Sequence, residues 1–355
     1  MRPLVAAALG ATLVLSTAVP ALAHPNVELA PTLPTDVTHA RTDNLDYLGR
    51  FPEHAGTAGG RLVGDTFFIT DPRGVFAYDV SDPATPELLG ALPLAQSYTG
   101  AALAQEDPDS DGRILLVDAA TPTKPLNILH VVDVSDPAAM TVLATAPVKD
   151  HTWTCVSAGD NGCAYAYGRS GWIVDLTEPT APQVLELGWR EAADFGGTGS
   201  NSPYTHDLTE IRPGLVMTSG IANLLLDTTD PAKPVLLNTL DQSDRFTWGL
   251  GYHSVEWAQG GTAPVAVFGT EIAPDGSTNL AGSDCQSENS VIETWDATEV
   301  VAALAAYEAD PERDPAVVRA AQFTLIDSFD VSGRGLFVDG DAPAHVLYCA
   351  HWMEP

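Results

Sequence analysis

Nine histidines lie along the chain, and five stand near the start of what reads as the first strand of a repeated unit. Their settings are Glu53-His54-Ala, Asp150-His151-Thr-Trp, Tyr-Thr-His206-Asp-Leu, Gly-Tyr-His253-Ser-Val and Ala-His351-Trp-Met. Neutral imidazole binds iron, copper or zinc well, and an all-nitrogen set leaves coordination positions open for a substrate or dioxygen. His54, His151, His206, His253 and His351 are therefore candidate ligands of one transition metal in a metal-dependent oxidoreductase or oxygenase. Glu53, Asp150, Asp207 and Glu256 stand close by in sequence and are candidates to accept the second ring N–H and fix the tautomer. The same residues serve equally as hydrogen-bonded groups lining a channel. That leaves a non-catalytic scaffold, binding an extracellular ligand or protein, as the reading placed first. His39, His130 and His345 read as structural or peripheral. His24 becomes N-terminal if a leader is removed, which permits a copper brace of amine plus imidazole.

Two further groups carry chemistry. Asp107, Asp109 and Asp111, followed by Gly112 and by Asp118 at the twelfth position, match the ligand spacing of a calcium loop. A stabilising calcium ion is the expectation there, although the flanks read as strands and an Asp replaces the usual closing Glu. The four cysteines suit two disulfides in an oxidising compartment, with three pairings open. Cys155 and Cys163 stand on neighbouring strands of one hairpin and form the natural cross-strand pair, which leaves Cys285 for Cys349. No Gly-rich phosphate loop, Gly-x-Ser-x-Gly elbow or His-Glu-x-x-His segment appears, so no nucleotide cofactor is expected. The tryptophans read as packing between strands and not as a carbohydrate platform.

The elements that position these residues are repeats. Gly74-Val-Phe-Ala-Tyr-Asp-Val-Ser-Asp-Pro83, Ile128-Leu-His-Val-Val-Asp-Val-Ser-Asp-Pro137, Gly171-Trp-Ile-Val-Asp-Leu-Thr-Glu-Pro179 and Asn223-Leu-Leu-Leu-Asp-Thr-Thr-Asp-Pro231 are variants of one pattern, and 290–299 is a weaker copy. Their aligned aspartates, Asp79, Asp133, Asp175, Asp227 and Asp296, are 54, 42, 52 and 69 residues apart, the scale of a four-stranded blade. An apolar run ends in Asp, whose carboxylate suits a tight turn, and another strand follows each time. These segments resemble the LVIVD repeat of secreted bacterial propellers, distantly similar to selenium-binding-type propellers. The resemblance implies an all-β propeller of about six, alternatively seven, four-stranded blades. The last blade reads as incomplete, with strand A near 346–352 and a closing strand near 44–49. One helical insertion, opened by an Asp296-x-x-Glu299 capping box, is expected between strands C and D of the fifth blade.

Arg2, the apolar run from Leu4 to Leu15 and Ala21-Leu22-Ala23 read as a secretory signal over 1–23, before a lead over 24–43 and a propeller over 44–355 that looks truncated at its C-terminus. A secreted or extracytoplasmic protein without a membrane-spanning segment in its mature form follows. With 16 basic residues against 47 acidic ones, the formal charge is −31, which argues against nucleic acid or anionic membranes as partners. Non-reducing peptide mapping is expected to find Cys155 joined to Cys163 and Cys285 to Cys349. A Cys155–Cys285 peptide would break the blade register proposed here.

Overall fold

The computed structural model describes residues 54, 59–71, 73–94, 107–121, 124–195, 205–241, 251–270 and 291–330. The signal and lead, the segments expected to close the ring, and Glu53, Cys285, Cys349 and His351 lie outside the described residues.

Within them the chain forms five four-stranded sheets, each antiparallel and in sequence order from an inner to an outer strand. Blade one is β1 (Gly59–Val63), β2 (Thr66–Asp71), β3 (Gly74–Asp79) and β4 (Glu87–Pro93). Blade two is β5 (Asp109–Ser110), β6 (Ile114–Thr121), β7 (Lys124–Asp133) and β8 (Thr141–Ala146). Blade three is β9 (Trp153–Ala158), β10 (Asn161–Gly168), β11 (Ile173–Asp175) and β12 (Gln183–Val184). Blade four is β13 (Thr205–Arg212), β14 (Leu215–Gly220), β15 (Ala222–Asp227) and β16 (Val235–Asp241). Blade five is β17 (Ser254–Glu256), β18 (Val265–Gly269), β19 (Val291–Asp296) and β20 (Thr324–Asp330). The inner strands meet in the order β1, β5, β9, β13, β17. The protein is a β-propeller.

Blade-to-blade packing explains the apolar runs. Successive side chains on a strand point to opposite faces, and here each face meets a different neighbour. On β6, Leu115 and Val117 join Phe68, Val75 and Ala77 of blade one. Ile114 and Leu116 join Trp153, Cys155 and Val174 of blade three. Both faces are therefore apolar, and β14 and β15 are buried at every position. Trp189 and Trp257 are buried in such clusters, as the sequence led us to expect.

The repeat aspartate does the same work five times. Asp79, Asp133, Asp175, Asp227 and Asp296 each accept from the backbone N–H two residues on, at 2.8, 2.9, 2.8, 2.8 and 2.8 Å. This is the Asx turn that moves the chain from the third strand of a blade to the next element. Cys155 and Cys163 are bonded across the β9–β10 hairpin.

The helical insertion lies between β19 and β20, the third and fourth strands of blade five, as expected. Its start corrects the sequence reading, because Thr298–Ala309 has no side-chain cap. Asp296 is committed to its Asx turn, and Glu299 accepts instead from the Gln322 amide at 3.2 Å. The helix lays Val300, Leu304 and Tyr307 into the core shared by blades four and five. Tyr307 Oη donates to Asp227 Oδ2 at 2.6 Å, and Arg313 pairs with the same oxygen at 3.2 Å. Burial opposes the Asp227 charge, but the Thr229 and Tyr307 donors outweigh it and hold its carboxyl below the ordinary range. A lowered folded-state pKa contributes stability that is present above the unfolded value and lost as pH falls through the folded one. Tyr307→Phe is expected to cost about 1.5–3 kcal/mol at neutral pH, the range for a hydrogen bond to a charged group. Chemical denaturation should show that cost shrinking once the pH falls below the ordinary carboxylate value of 3.8.

Candidate functional site

The inner strand of each blade is a sheet edge, so its outward N–H and C=O groups need partners from elsewhere. Short polar side chains of neighbouring inner strands supply them. Thr152 Oγ1 donates to the His206 carbonyl at 3.0 Å and Thr154 Oγ1 to the Leu208 carbonyl at 2.6 Å. Thr209 Oγ1 donates to the Val255 carbonyl at 3.0 Å. Glu210 accepts from Ser157 N and Oγ, both at 2.7 Å. Neighbouring inner strands thus run parallel and in register around the axis.

Between them lies a cavity of about 200 Å³ to which all five inner strands contribute. Asp107, Asp109, Asp111, Asp207, Glu210 and Glu256 line it, and Arg61 is the only basic residue among the described lining residues. Most of these acids have structural partners. Asp109 accepts from Cys155 N at 2.8 Å and pairs with Arg61 Nε at 3.0 Å. Asp111 accepts from Cys163 N at 2.9 Å and from Arg113 N and Ile114 N, both at 2.8 Å. Burial works against the Asp111 charge, but these three amides outweigh it and hold its carboxyl low. For Glu210 burial wins over the Ser157 bonds and raises the carboxyl.

Asp207 Oδ1 is shut off from solvent and accepts no hydrogen bond, while the Leu208 amide and Thr152 bond the same carboxylate. Burial pushes its carboxyl up to about 7, and the nearby Asp109 charge adds to the effect. The Leu208 amide, His253 and Thr152 act in the opposite direction.

Part of the expected calcium loop is strand. Asp109 and Ser110 form β5, and Asp111 caps the turn into β6. Asp118 lies within β6, where Oδ1 accepts from Trp153 Nε1 at 3.0 Å and Oδ2 from Asp150 N at 3.4 Å. Burial, with Asp150 adding to it, pushes the Asp118 carboxyl up to about 8. Asp109, Asp111 and Asp118 all bond atoms of blade three, at the seam between two blades.

The histidines divide. His151, His206 and His253 come together at the heads of β9, β13 and β17. His206 and His253 stack at 3.5 Å between ring centroids and 28° between planes, and His151 meets His206 edge-on at 5.0 Å. His206 Nδ1 lies 3.2 Å from the His253 carbonyl oxygen and must carry a proton to bond it. Imidazole lone pairs lie in the ring plane, so two near-parallel rings at this distance point side by side and do not converge on an ion about 2.0–2.1 Å from each. Among the described residues, no group of three or more His, Cys, Asp or Glu side chains is placed to hold a metal ion.

His54 is elsewhere. Its Nδ1 lies 3.0 Å from Asp71 Oδ2 and its Nε2 2.6 Å from Tyr78 Oη, with Phe76 against the ring. Phe76 and Tyr78 occupy the face of β3 opposite Val75 and Ala77, which pack on blade two. His54 therefore sits on the far face of blade one and outside the imidazole stack. His130 is buried and lies 3.0 Å from the Ile128 carbonyl, a structural residue as expected.

Of the acids expected to orient imidazoles, Asp150 is bonded elsewhere, while the Asp207 carboxylate feels the charge of His253. Asp150 accepts from the His151 backbone amide and from Ser170 N and Oγ. Asp207 and Glu256 line the cavity. Sequence reasoning passed over Glu210 and Arg61. The available signal was that Glu210 stands four residues beyond His206 on a polar inner strand.

No family model matches this chain, and no curated protein matches it. Solved structures do. A functionally unknown protein from Desulfotomaculum acetoxidans aligns at 8% identity and TM-score 0.48, over 77% of this chain and 69% of its own. A hypothetical selenium-binding protein from Sulfolobus tokodaii aligns at 12% and 0.43, over 79% and 69%. A periplasmic gluconolactonase from Pseudomonas aeruginosa aligns at 12% and 0.41, over 77% and 85%. Identities this low say nothing about activity.

The Asp207 geometry has a stability consequence. A folded-state pKa raised above the unfolded value means the folded state holds the extra proton. Its charge then costs stability increasingly as pH rises from 3.8 to about 7, and by a constant amount above that. Leaving a buried acceptor unmatched costs about 1–3 kcal/mol. Asp207→Asn is expected to raise the melting temperature at mildly alkaline pH and to lose that advantage toward pH 4, as scanning calorimetry would reveal. An unchanged or lower melting temperature at alkaline pH would show that the carboxylate is already compensated.

Proposed function

We propose that this protein is an exported, non-enzymatic propeller of the LVIVD type that binds a small polar ligand in the cavity at its hub. The observation that carries the reading is the hub itself, where the inner strands of five blades line a cavity that carries six carboxylates among its described residues. The cavity is below the roughly 300–1,000 Å³ usual for drug-sized ligands, which fits a small molecule. Export is supported by the leader-like N-terminus and the Cys155–Cys163 disulfide. No helix among the described residues is long and apolar enough to cross a membrane. A channel oxidoreductase draws no support from the stacked pair His206 and His253.

Native mass spectrometry of the protein purified from its producing cells tests this. A stoichiometric small-molecule adduct is expected on the natural sequence and is expected to be absent from Ser254→Phe, which places a ring against the cavity. Equal adducts on both, or none on the natural sequence even after incubation with cell extract, would sink the reading.

A further inference from the structure

The hairpin that carries the disulfide is held in two different ways along its length. Residues 165–168 of β10 pair one by one with 153–156 of β9, an ordinary antiparallel ladder. Toward the turn the ladder fails. Asn161 pairs with Ala158, so Gly162, Cys163 and Ala164 face Ser157 alone and β10 bulges there. Cys163 belongs to that bulge, whereas the strand partner of Cys155 is Ala166, three residues further on. The disulfide therefore ties the bulge to β9 where pairing between the two strands is interrupted.

Both strands turn to other blades at this point. Ser157 N and Oγ donate to Glu210 of blade four, Cys155 N to Asp109 of blade two and Cys163 N to Asp111 of blade two. The bulge approaches blade two so closely that a Cβ at Gly162 would lie 2.6 Å from Asp111 Oδ2. One of the three amide donors to Asp111 thus depends on where the bulge is held. Cys155 and Cys163 also line the hub cavity, so a small thiol that enters it meets the sulfur–sulfur bond.

We propose that Cys155–Cys163 is a redox-sensitive lock on the seam between blades two and three, opened by a small thiol and closed by oxidation. A thiolate attacks Cys155 Sγ, on the less buried of the two residues, forms a mixed disulfide and expels the Cys163 thiolate. A second thiolate attacks the outer sulfur of the mixed disulfide, forms the small-molecule disulfide and expels the Cys155 thiolate. The two small thiols give up two electrons and two protons, which the two cysteines take up. The bulge is then free to relax, Asp111 loses the Cys163 amide, and the hold of blade three on blade two weakens at this end. The blade itself stays formed, because the four pairs beyond the bulge are made by backbone groups. No ligand in the cavity is needed for this step.

Hydrogen exchange read by mass spectrometry on the full chain, before and after 2-mercaptoethanol without denaturant, tests the proposal, with peptide mapping to locate the thiols formed. Cys155 and Cys163 are expected to become open to alkylation. Exchange at the Cys163 amide is expected to quicken at least about tenfold, as for loss of one hydrogen bond to a charged group. Exchange over β15 of blade four is expected to stay unchanged, and reoxidation to restore the first pattern. Cys155→Ser combined with Cys163→Ser is expected to show the open pattern from the start and no response to the thiol over 161–164. Thiols that form only in denaturant, or unchanged exchange at Cys163 after reduction, would overturn the lock. Loss of protection throughout the chain would overturn it as well and leave a bond that staples the whole fold. A response over 161–164 that survives in the double variant would assign the effect to other cysteines and also overturn it. Reduction of the natural sequence needs no variant and stands even if the double substitution fails to fold.

Discussion

The structure depends on sheet edges, five among the described residues, brought to one axis. An inner strand cannot pair with the inner strand of the next blade as in a sheet, because the blades stack face to face. Its outward backbone groups still need partners when water is scarce. Threonine hydroxyls saturate carbonyls of the next inner strand, and carboxylates saturate amides of a neighbouring one. Blade packing therefore makes the hub polar, and the preference of N–H donors for charged acceptors makes it acidic. Asp207 Oδ1 belongs to none of these bonds.

The same constraint separates two zones along the channel. At the heads of β9, β13 and β17 the side chains are imidazoles, packed on one another. Further along, Asp207, Glu210 and Glu256 replace them on β13 and β17. A ligand in the second zone lies next to the stack without needing it as a metal centre. The helical insertion packs on blades four and five, where Tyr307 and Arg313 close on Asp227, the repeat aspartate of blade four.

Repetition made the architecture legible. A run with both faces apolar, ending in Asp and a Ser/Thr-Asp-Pro turn, has few other uses, and all five repeat aspartates form the expected turn. Cys155 and Cys163 were legible as well, since eight residues spanning a hairpin bring them together. Register was not legible. His54 and His206 look equivalent in sequence, yet His54 falls on an outer face of blade one, bonded to Asp71 and Tyr78. A slip of a few residues along the chain moves a side chain to another face and another neighbour.

The site was read in fragments. Asp107, Asp109 and Asp111 stood out as a calcium loop, and Asp207 and Glu256 as partners for imidazoles. These are five of the six acids that line one cavity. The sequence by itself determined the blade, its turns, its disulfide and the polar character of the inner strand, because each rests on contacts between residues near in the chain or on strict repetition. Only the tertiary structure decided which acids share a space and which neighbours bond them. Those facts arise where strands more than 40 residues apart are packed in one register, and local spacing carries no record of that register.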